Sequence, residues 1–526
     1  MSSAFSGLNN SVSGLFSARR NLDVINHNVG NANTPGYSRQ YAEQKAAKPY
    51  PVFDGSGMAG KGSYVTTIEQ VRNEYIDMRY WQQNQVNGEA SVKEEMLMDI
   101  EGVFAEPSES SIAKVMDEFF NDLHELDKKP ANPSVRSSVL QSALAFTDNV
   151  NSVAANLEKL QVDTNKNISS MVKEVNVLGS QIAKLNKQIF DFEISGDVAN
   201  DLRDKRAVVI DQLSQLTDIS VEEVEKGKLP NGSPDVRTVI RVGGDVLVDD
   251  TKVVELELAA RDEKLNDEDI PDLFEVQWPN GDIVELKAGK LKGYIDSRDG
   301  NSAINDSPNF KGVPFYKRKL NEFVQTFAKA FNEGTDSSLG HASGYGISNE
   351  GDEPLSGIRF FTPEDGSGKG VDTKTFLDCA QDKEDVESMY SNLTAKNFSV
   401  SKDVLEDYSN IAISTDPNFS GNSDVLKDLG SVRHDTSLFE EGAPEDFYRN
   451  VVSTNAVDLR HARRMSDNGE TILNLLENRR LSESGVSIDE EMTNMVKQQQ
   501  IYSASASLIN TWSEIYDILI NRTGLR

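Results

Sequence analysis

Both ends of the chain carry apolar and small side chains at alternating spacings of three and four residues. In the first thirty residues the series is Met1, Ala4, Leu8, Ser11, Leu15, Ala18, Leu22, Ile25 and Val29. This spacing marks one face of a helix in a coiled coil, and the small members would let a partner helix come close. The sequence therefore predicts an N-terminal helix with a face for another helix.

A second series of the same kind ends the chain. Residues 490–526 contain no proline, their only glycine is Gly524, and the series is Met492, Met495, Gln499, Tyr502, Ala506, Ile509, Ser513, Tyr516 and Ile520. We expect the two end helices to pair as a hairpin, although two ordinary amphipathic core helices would show the same period. The predicted assembly interface of this hairpin is Leu8, Leu15, Leu22, Ile25, Met495, Tyr502, Ile509 and Tyr516.

A helix stop and a turn follow the first helix. Gly30 and Asn31 tolerate the left-handed conformation that commonly ends a helix. Pro35 disfavours helix at the residue before it. Because Thr34-Pro35-Gly36-Tyr37 has proline and glycine at its two central positions, it predicts a type II turn. The chain should therefore leave the helix in a fixed direction.

The middle of the chain predicts helices, then short strands, then helices again. Helical patterns cover residues 69–101, 110–128, 134–195 with an interruption near Gly179, 200–216, 316–333 and 446–480. Strands are expected at 64–68, 236–242, 253–258, 274–278 and 283–286, and Pro279-Asn280-Gly281 predicts a hairpin turn between the last two. This order predicts a multidomain α plus β fold, with a discontinuous helical core, coiled-coil terminal helices from both chain ends and inserted β-rich middle domains.

The predicted domains follow from this order. Residues 1–40 and 485–526 form the paired terminal helices, or assembly domain. Residues 41–217, 310–335 and 446–484 form a helical core domain, 218–309 a β-rich inserted domain, and 336–445 a second inserted domain that is irregular or β-rich. Since insertions enter at the surface, we expect that residues 340–440 can be removed without unfolding the helical core.

Composition excludes several classes of partner. The formal net charge of -31 argues against binding nucleic acid or an anionic membrane by charge. No run of about 18 apolar residues occurs, so no membrane insertion is expected. Cys379 is the only cysteine, which leaves no intramolecular disulfide. The N-terminus lacks the pattern of a secretory signal, and composition alone therefore indicates a cytoplasmic protein.

Few patterns could carry catalysis or bind a ligand. Residues 55–61 imitate a phosphate-binding loop, but Gly62 stands where a serine or threonine would reach the metal. The acidic clusters at 262–263 and 267–269 lack the order of a calcium loop. The histidines are far apart in the sequence: 27, 124, 341, 434 and 461. We expect no catalytic residue, no metal site and no cofactor.

Two segments at the ends of the chain carry a recognisable signature. The first is Asn28, Asn31, Asn33, Thr34, Pro35, Gly36, Tyr37, Ser38, Arg39 and Gln40, and the second is Ser484, Gly485, Val486, Asp489, Glu490 and Glu491. They resemble the bacterial flagellar axial proteins of rod and hook, and within that group the hook-associated protein 1 family of hook–filament junction proteins. Residues 104–109 and 201–206 agree with that family, whereas Gly30 departs from it, because the family often has alanine there.

The resemblance implies a structural subunit of the flagellum, not an enzyme, which polymerises through its terminal helices at the hook end and joins hook to filament. The implied partners are further copies of the chain, the hook protein, the second junction protein, and an export chaperone at the C-terminal helix. The implied location is extracellular, in the flagellum, after type III export without a cleaved signal peptide.

Two alternatives stay open from the sequence. One is a hook or rod structural protein, which shares the Thr34-Pro35-Gly36-Tyr37 segment. The other is an exported cell-wall hydrolase on an axial-protein scaffold. A hydrolase needs paired carboxylates or a nucleophile in a compact C-terminal domain, whereas this chain ends in a predicted helix.

Overall fold

The computed structural model describes residues 6–51, 57–104, 111–228, 234–347, 354–366, 368–378, 386–418 and 422–522. Long helices dominate these residues. In chain order the helices are α1 (Ser6–Gly30), α2 (Glu74–Phe104), α3 (Ile112–Lys128), α4 (Pro133–Glu193), α5 (Asn200–Leu216), α6 (Lys290–Asp299), α7 (Val313–Glu333), α8 (Thr373–Asp378), α9 (Val386–Tyr390), α10 (Lys402–Glu406), α11 (Asp424–Ser431), α12 (Pro444–Ser484) and α13 (Ile488–Asp517).

The strands are short and pair antiparallel in small sheets. They are β1 (Gln40–Ala46), β2 (Tyr50–Pro51), β3 (Met58–Ala59), β4 (Ser63–Gln70), β5 (Ile219–Lys228), β6 (Pro234–Val242), β7 (Asp245–Asp249), β8 (Lys252–Val253), β9 (Glu257–Ala260), β10 (Phe274–Gln277), β11 (Gly334–Thr335), β12 (Ser338–Leu339), β13 (Phe361–Pro363) and β14 (Phe398–Val400). The largest sheet has the order β5-β6-β7-β8, and β1 pairs with β4 as a two-stranded ribbon. Long helices at both ends and small sheets between them confirm the predicted fold class.

Polar side chains cap the starts of helices α3 and α4. The Ser111 hydroxyl accepts a hydrogen bond from the backbone N–H of Lys114 at the start of α3. The Asn132 side chain accepts one from Ser134 at the start of α4, where Pro133 occupies the first turn. Such caps satisfy N–H groups that have no partner inside the helix, and proline suits the first position because its missing N–H would be unused there.

One large hydrophobic cluster joins α3, α4, α7 and the first part of α12. Its centre is a group of phenylalanine rings that is almost fully buried: Phe119, Phe146, Phe327, Phe331, Phe360 and Phe361. Neighbouring ring centroids lie 4.8–6.4 Å apart, mostly tilted or edge to face, which is the arrangement that aromatic pairs prefer.

A second cluster joins the other half of α4 to α2, α5, α6 and the sheet around β6 and β7. Ile168, Val172, Val175 and Ile182 on α4 face this cluster, and Leu247 and Val248 on β7 complete it. α4 runs unbroken through Gly179, so the predicted interruption there is wrong. A β-carbon at Gly179 would meet Leu247 at 3.5 Å, an ordinary contact, so the position suits a continuous helix packed on the sheet.

Part of the predicted strand pattern differs from the structure. β5 and β7 were not predicted, and residues 283–286 form only an isolated bridge between Gln277 and Ile283. The turn before them is present as predicted, since Gly281 has a φ of 89° and its N–H donates to Trp278 at 2.9 Å. β5 escaped prediction because its outer half is charged and exposed.

Residues 336–445 share the core of the helices instead of building their own. The Asn332 amide on α7 donates to the carbonyl of Phe361 at 2.7 Å, and its oxygen accepts from the N–H groups of Phe360 and Phe361. Arg136 on α4 donates to the carbonyls of Ser409 and Ile411. This packing contradicts the expectation that residues 340–440 are dispensable for the helical core. The limits of the other domains stay predictions.

Among the described helices, none combines the length and the apolar character that crossing a membrane requires.

Candidate assembly interface and the junction at its base

Helices α1 and α13 lie side by side and antiparallel. A β-carbon at Gly7 would fall 2.3 Å from the ring of Trp512, and one at Gly14 would fall 3.1 Å from the Ser505 hydroxyl. Near the other end of α1, the Asn28 amide reaches Glu491 at 3.3 Å. The terminal helices therefore form a hairpin, whose line of closest approach on α1 consists of small residues.

The eight predicted interface residues lie on or beside this hairpin. Ile25 is buried, and Leu8, Leu15, Leu22, Met495, Ile509 and Tyr516 are half-buried, while Tyr502 is exposed. Glycines at the contact, Gly7 and Gly14, were not predicted. The sequence did hold a signal for this contact, namely two glycines seven residues apart inside a helical pattern. Glycine is disfavoured in a helix interior unless close packing needs it. Met1 and Ala4 of the predicted series lie outside the described residues.

Helix α13 exposes apolar residues to solvent on both sides of its contact with α1. Glu491 and Ser505 are the residues of this helix that are buried. Five large apolar side chains of α13 remain 40–52 % exposed: Met492 and Val496 on one flank, and Ile501, Leu508 and Ile515 on the other. Exposed apolar surface of this extent on one helix is typical of a protein interface.

The turn after α1 has the predicted geometry. The Tyr37 N–H donates to the carbonyl of Thr34 at 3.2 Å, and Gly36 has a φ of 74°. A type II turn needs positive φ at this position, which glycine adopts at no steric cost. A β-carbon at Gly36 would also lie 2.2 Å from Val208 on α5, so glycine lets the turn rest against the core.

Asn28 is fully buried and ties together both ends of the chain. Its oxygen accepts hydrogen bonds from the Tyr37 hydroxyl at 2.8 Å and from the Gln40 N–H at 2.9 Å. Its amide donates to the Gln40 carbonyl at 2.8 Å and to the Glu491 carboxylate at 3.3 Å. The side chain thus uses both donors and both acceptor positions of an amide, which no apolar or charged residue could do.

Arg39 links the first motif to the second. Its guanidinium donates to Glu491 at 2.8 Å and lies 3.4 Å from Glu490, and its backbone N–H donates to the Ser484 carbonyl at 2.8 Å. Glu491 is 2 % exposed. Because a buried carboxylate needs a charged or hydrogen-bonded partner, Arg39 and Asn28 hold the start of α13 in place.

Acidic residues on α5 hold the start of β1. The Ser38 N–H donates to Asp204 at 2.9 Å, and the Gln40 amide donates to Asp201 at 2.7 Å. Burial raises the pKa of Asp204 above its usual value, although the hydrogen bond from Ser38 and the nearby Arg72 act in the opposite direction. Burial also raises the pKa of the Tyr37 phenol, and Asp201 adds to this rise. The family segment 201–206 therefore lies against the first motif.

Arg480, which was not among the predicted residues, ties the end of α12 to the core. Its guanidinium bonds Asp77 on α2 at 2.7 Å and Asp211 on α5 at 2.8 Å, and it lies 4.2 Å from the centroid of the Tyr80 ring. Burial lowers the pKa of Arg480, but the hydrogen bond and charge of Asp211 with the charge of Asp77 raise it overall. No local pattern marked this arginine, because its partners are hundreds of residues away in the sequence.

The other predicted motif residues lie around the same point. Asn31 donates to the His27 carbonyl at 3.0 Å, and Gly485 ends α12 by donating to the Leu481 carbonyl at 2.9 Å. Val486 is half-buried and Ser484 is buried, while the remaining motif residues are exposed: Asn33, Thr34, Pro35, Asp489 and Glu490. Together the two motifs enclose a groove of about 610 Å³ between the terminal hairpin, α5 and α12.

The loop that imitates a phosphate site lies against α1. Gly60 accepts a hydrogen bond from Asn10 at 3.0 Å, and the Ser63 N–H donates to Ser13 at 3.2 Å. A β-carbon at Gly62 would collide with Ser13, so this glycine serves helix–ribbon contact. Residues 55 and 56 of the loop, and residues 105–109 of the family segment, lie outside the described residues. Within the described ranges, no three histidine, cysteine or acidic side chains group as a metal site would require.

Two family models match the chain. Residues 97–351 match the helical domain of the flagellar hook-associated protein FlgK, and residues 477–522 match the C-terminal part of the flagellar basal body rod protein FlgEFG. The second match covers the end of α12 and all of α13.

Curated relatives match over nearly the whole chain. Flagellar hook-associated protein 1 of Bacillus subtilis is 28% identical, with 100% of this chain and 99% of the relative covered. The proteins of the same name from Salmonella typhimurium and Escherichia coli are 23% and 24% identical, with 98% of this chain and 99% of each relative covered. The solved structure of the flagellar hook junction protein FlgK from Burkholderia pseudomallei shows a partial likeness, with a TM-score of 0.41, 19% identity, and coverage of 55% of this chain and 47% of that chain.

The matches run from the first helix to the last and include the two motifs that meet at Asn28 and Glu491. Over nearly its whole length the chain is therefore similar to the flagellar hook-associated protein 1 of several bacteria, and residues 97–351 match the helical domain of that family.

Proposed function

We propose that the chain is a structural subunit of the bacterial flagellum that joins the hook to the filament and polymerises through α1 and α13. The exposed apolar side chains of α13 carry this proposal, because α1 covers only one face of the helix and leaves these side chains for other molecules. In water such side chains favour association, since each fully buried aliphatic side chain contributes about 1.5–3 kcal/mol.

The first partner in this proposal is a second copy of the chain. Similarity to the hook-associated proteins implies self-assembly into the axial structure of the flagellum. The predicted interface residues would form the inner contacts of that assembly. The name of the relatives refers to the hook, and we propose the hook protein below and the second junction protein above as the neighbours of the assembled layer.

Export is the second part of the proposal. Before assembly, the exposed apolar side chains of α13 need a cover, and we propose that an export chaperone binds this C-terminal helix. The protein would leave through the flagellar export apparatus without a cleaved signal peptide and reach the hook–filament junction outside the cell. A structural role also fits the motif residues, whose charged groups pair with one another and leave no activated nucleophile among the interactions described above.

Within the axial proteins, the family models favour a junction subunit over a rod or hook subunit. The rod-protein match is confined to 46 residues at the end of the chain, whereas the hook-associated match spans 255 residues of the middle. The shared part is the terminal helix, which both kinds of subunit would use for assembly.

A deletion strain tests the function. Cells that lack this protein should build complete hooks but carry no filaments, and should release filament protein into the medium. Expression of the intact chain from a plasmid should restore the filaments. Absence of hooks would indicate a rod or hook subunit instead, and normal filaments in the deletion strain would refute the junction role.

A further inference from the structure

A groove runs between α2 and α12 on the side of the helix pair that faces solvent. It consists of two adjoining hollows of about 360 and 370 Å³, and Val86 lines both. Leu97 and Ala462 are buried beneath it. Its rim carries large apolar side chains that are 42–57 % exposed: Tyr75, Val86, Met465 and Ile472.

The close approach of the two helices creates this groove. A β-carbon at Gly469 on α12 would lie 2.3 Å from the Asn87 side chain on α2, and Asn455 donates to the Leu97 carbonyl at 3.1 Å. Since the backbones are this close, the large apolar residues beside the contact cannot fit between the helices. They project to the side instead, and no described residue covers them.

The unneutralised charge at the rim is positive. Asp458 is paired with Lys311 at 2.9 Å, and Glu89 is paired with Lys93 at 2.6 Å. The Arg79 guanidinium donates to the Tyr75 hydroxyl, a neutral group, at 3.0 Å, and Arg479 is 4.0 Å from its nearest described carboxylate. A cationic rim around an apolar floor favours an occupant that is apolar and acidic.

We infer that this groove receives a second copy of the chain in the assembled layer. A chain of net charge -31 offers acidic surface to any cationic patch on its neighbour. The position of the groove also supports a second copy as its occupant, because α12 passes directly into α13 across the short turn at Gly485. The groove is thus continuous with the proposed assembly helix. This inference rests on the proposed function, because it requires that copies of the chain stand side by side.

Cross-linking in the assembled flagellum tests the occupant. In a Cys379→Ser background, Met465→Cys would carry a thiol-reactive benzophenone, and hooks with attached filaments would be isolated and irradiated. The expected product is a covalent dimer of this chain, with the label at Met465 joined to an acidic segment of the partner copy. Val177→Cys on α4, which is 53 % exposed, is the matched control and should give much less dimer. Cross-links only to hook or filament subunits, or no dimer despite complete labelling, would overturn the inference.

A second test, in the same strain, changes the charge and size of a side chain at the rim of the groove. Met465→Glu should lower the number of filaments per hook by about tenfold, a factor that corresponds to about 1.4 kcal/mol. Val177→Glu, with the same change of charge, should leave the count unchanged. The thermal unfolding midpoint of each purified monomer verifies that Met465→Glu folds, as its exposure leads us to expect. A normal filament count with Met465→Glu would refute the groove as a docking site. Hooks without filaments in the deletion strain would still support the junction role. Filaments in the deletion strain would refute the junction role itself.

Discussion

The side-chain amide of Asn28, in the last turn of α1, donates a hydrogen bond to the carboxylate of Glu491, in the first turn of α13. These residues are 463 positions apart in the sequence. Both also bind the segment that follows α1: Asn28 bonds Gln40, and Glu491 bonds Arg39. The packing of the two terminal helices therefore depends on one shared set of hydrogen bonds.

Asn28→Ala should release the terminal hairpin from the core. The Gln40 N–H and the Tyr37 hydroxyl would lose their acceptor, and each buried unpaired group costs about 1–3 kcal/mol. Hydrogen exchange of α1 and α13 in assembled flagella should accelerate, and filaments should detach more readily on heating. Asn33→Ala, at an exposed position of the same motif, is the control. Unchanged exchange in Asn28→Ala would show that the amide is not needed to hold the helices.

Gly7→Ala should push α13 away from α1. The added carbon would collide with the Trp512 ring, and overpacking of this kind typically costs about 1–3 kcal/mol. The number of filaments per hook should fall, and a second change, Trp512→Ala, should restore part of it by removing the ring. Gly30→Ala is the control, because a β-carbon there meets nothing within 4 Å. Equal counts for Gly7→Ala and Gly30→Ala would contradict the close helix contact.

Arg480→Met should destabilise the folded monomer. It removes the cation from Asp211 and one of the two guanidinium partners of Asp77, which keeps Arg72 at 2.6 Å. The loss of one partner from a largely buried pair costs on the order of 2–4 kcal/mol. The urea midpoint of the purified protein should fall accordingly. Arg479→Met removes the same charge one residue earlier from a side chain that is 63% exposed, and should change the midpoint little. Equal midpoints for the two variants would argue against a structural role for Arg480.

His341 should make the core sensitive to acid. Burial lowers its pKa from 6.5 to about 4, and the charges of Arg136 and Arg359 add to this, whereas the hydrogen bond to the Ile358 carbonyl acts in the opposite direction. In the neutral ring, Nε2 accepts from the Ala412 N–H and Nδ1 therefore donates to Ile358. The unfolded chain binds the proton more readily, so this contribution is fully present above pH 6.5 and is lost as the pH falls toward 4. It amounts to about 3 kcal/mol at most.

The change in unfolding free energy between pH 7 and pH 4.5 measures this contribution. His341→Gln should be less stable than the native chain at pH 7, but it should lose less stability on acidification. His434→Gln, which replaces an exposed histidine, is the control. An identical loss for His341→Gln and the native chain would refute the assignment.

Deletion of residues 340–440 should unfold the helical core. It removes Phe360, Phe361 and Phe398 from the cluster around Phe119 and Phe146. Each buried phenylalanine contributes about 1.5–3 kcal/mol, and the total stability of a protein is only about 5–15 kcal/mol. Circular dichroism and protease resistance would measure the loss. A replacement of the exposed residues 262–264 by a glycine-serine linker should be tolerated, and a cooperatively folding 340–440 deletion would contradict the shared core.

The local patterns of the sequence predicted the helices and the turn at Thr34 to Tyr37 well. Both depend on residues close in the chain, such as Pro35 and Gly36, whose backbone preferences act locally. The partnership of Arg480 with Asp77 and Asp211, and the closure of the phenylalanine cluster by Phe360 and Phe361, depend on distant residues and left no periodic signal. For the same reason the hairpin was predicted through its leucines, whereas its closest contacts use Gly7 and Gly14.

The unbroken length of α4 has a mechanical consequence. The helix has 61 residues, and at 1.5 Å per residue it extends about 90 Å. One end lies in the phenylalanine cluster and the other in the cluster around Leu247, so the two parts of the subunit share a single continuous rod. A twisting load applied at one end passes along its unbroken backbone hydrogen bonds to the other, and the subunit turns as one piece instead of flexing at a linker.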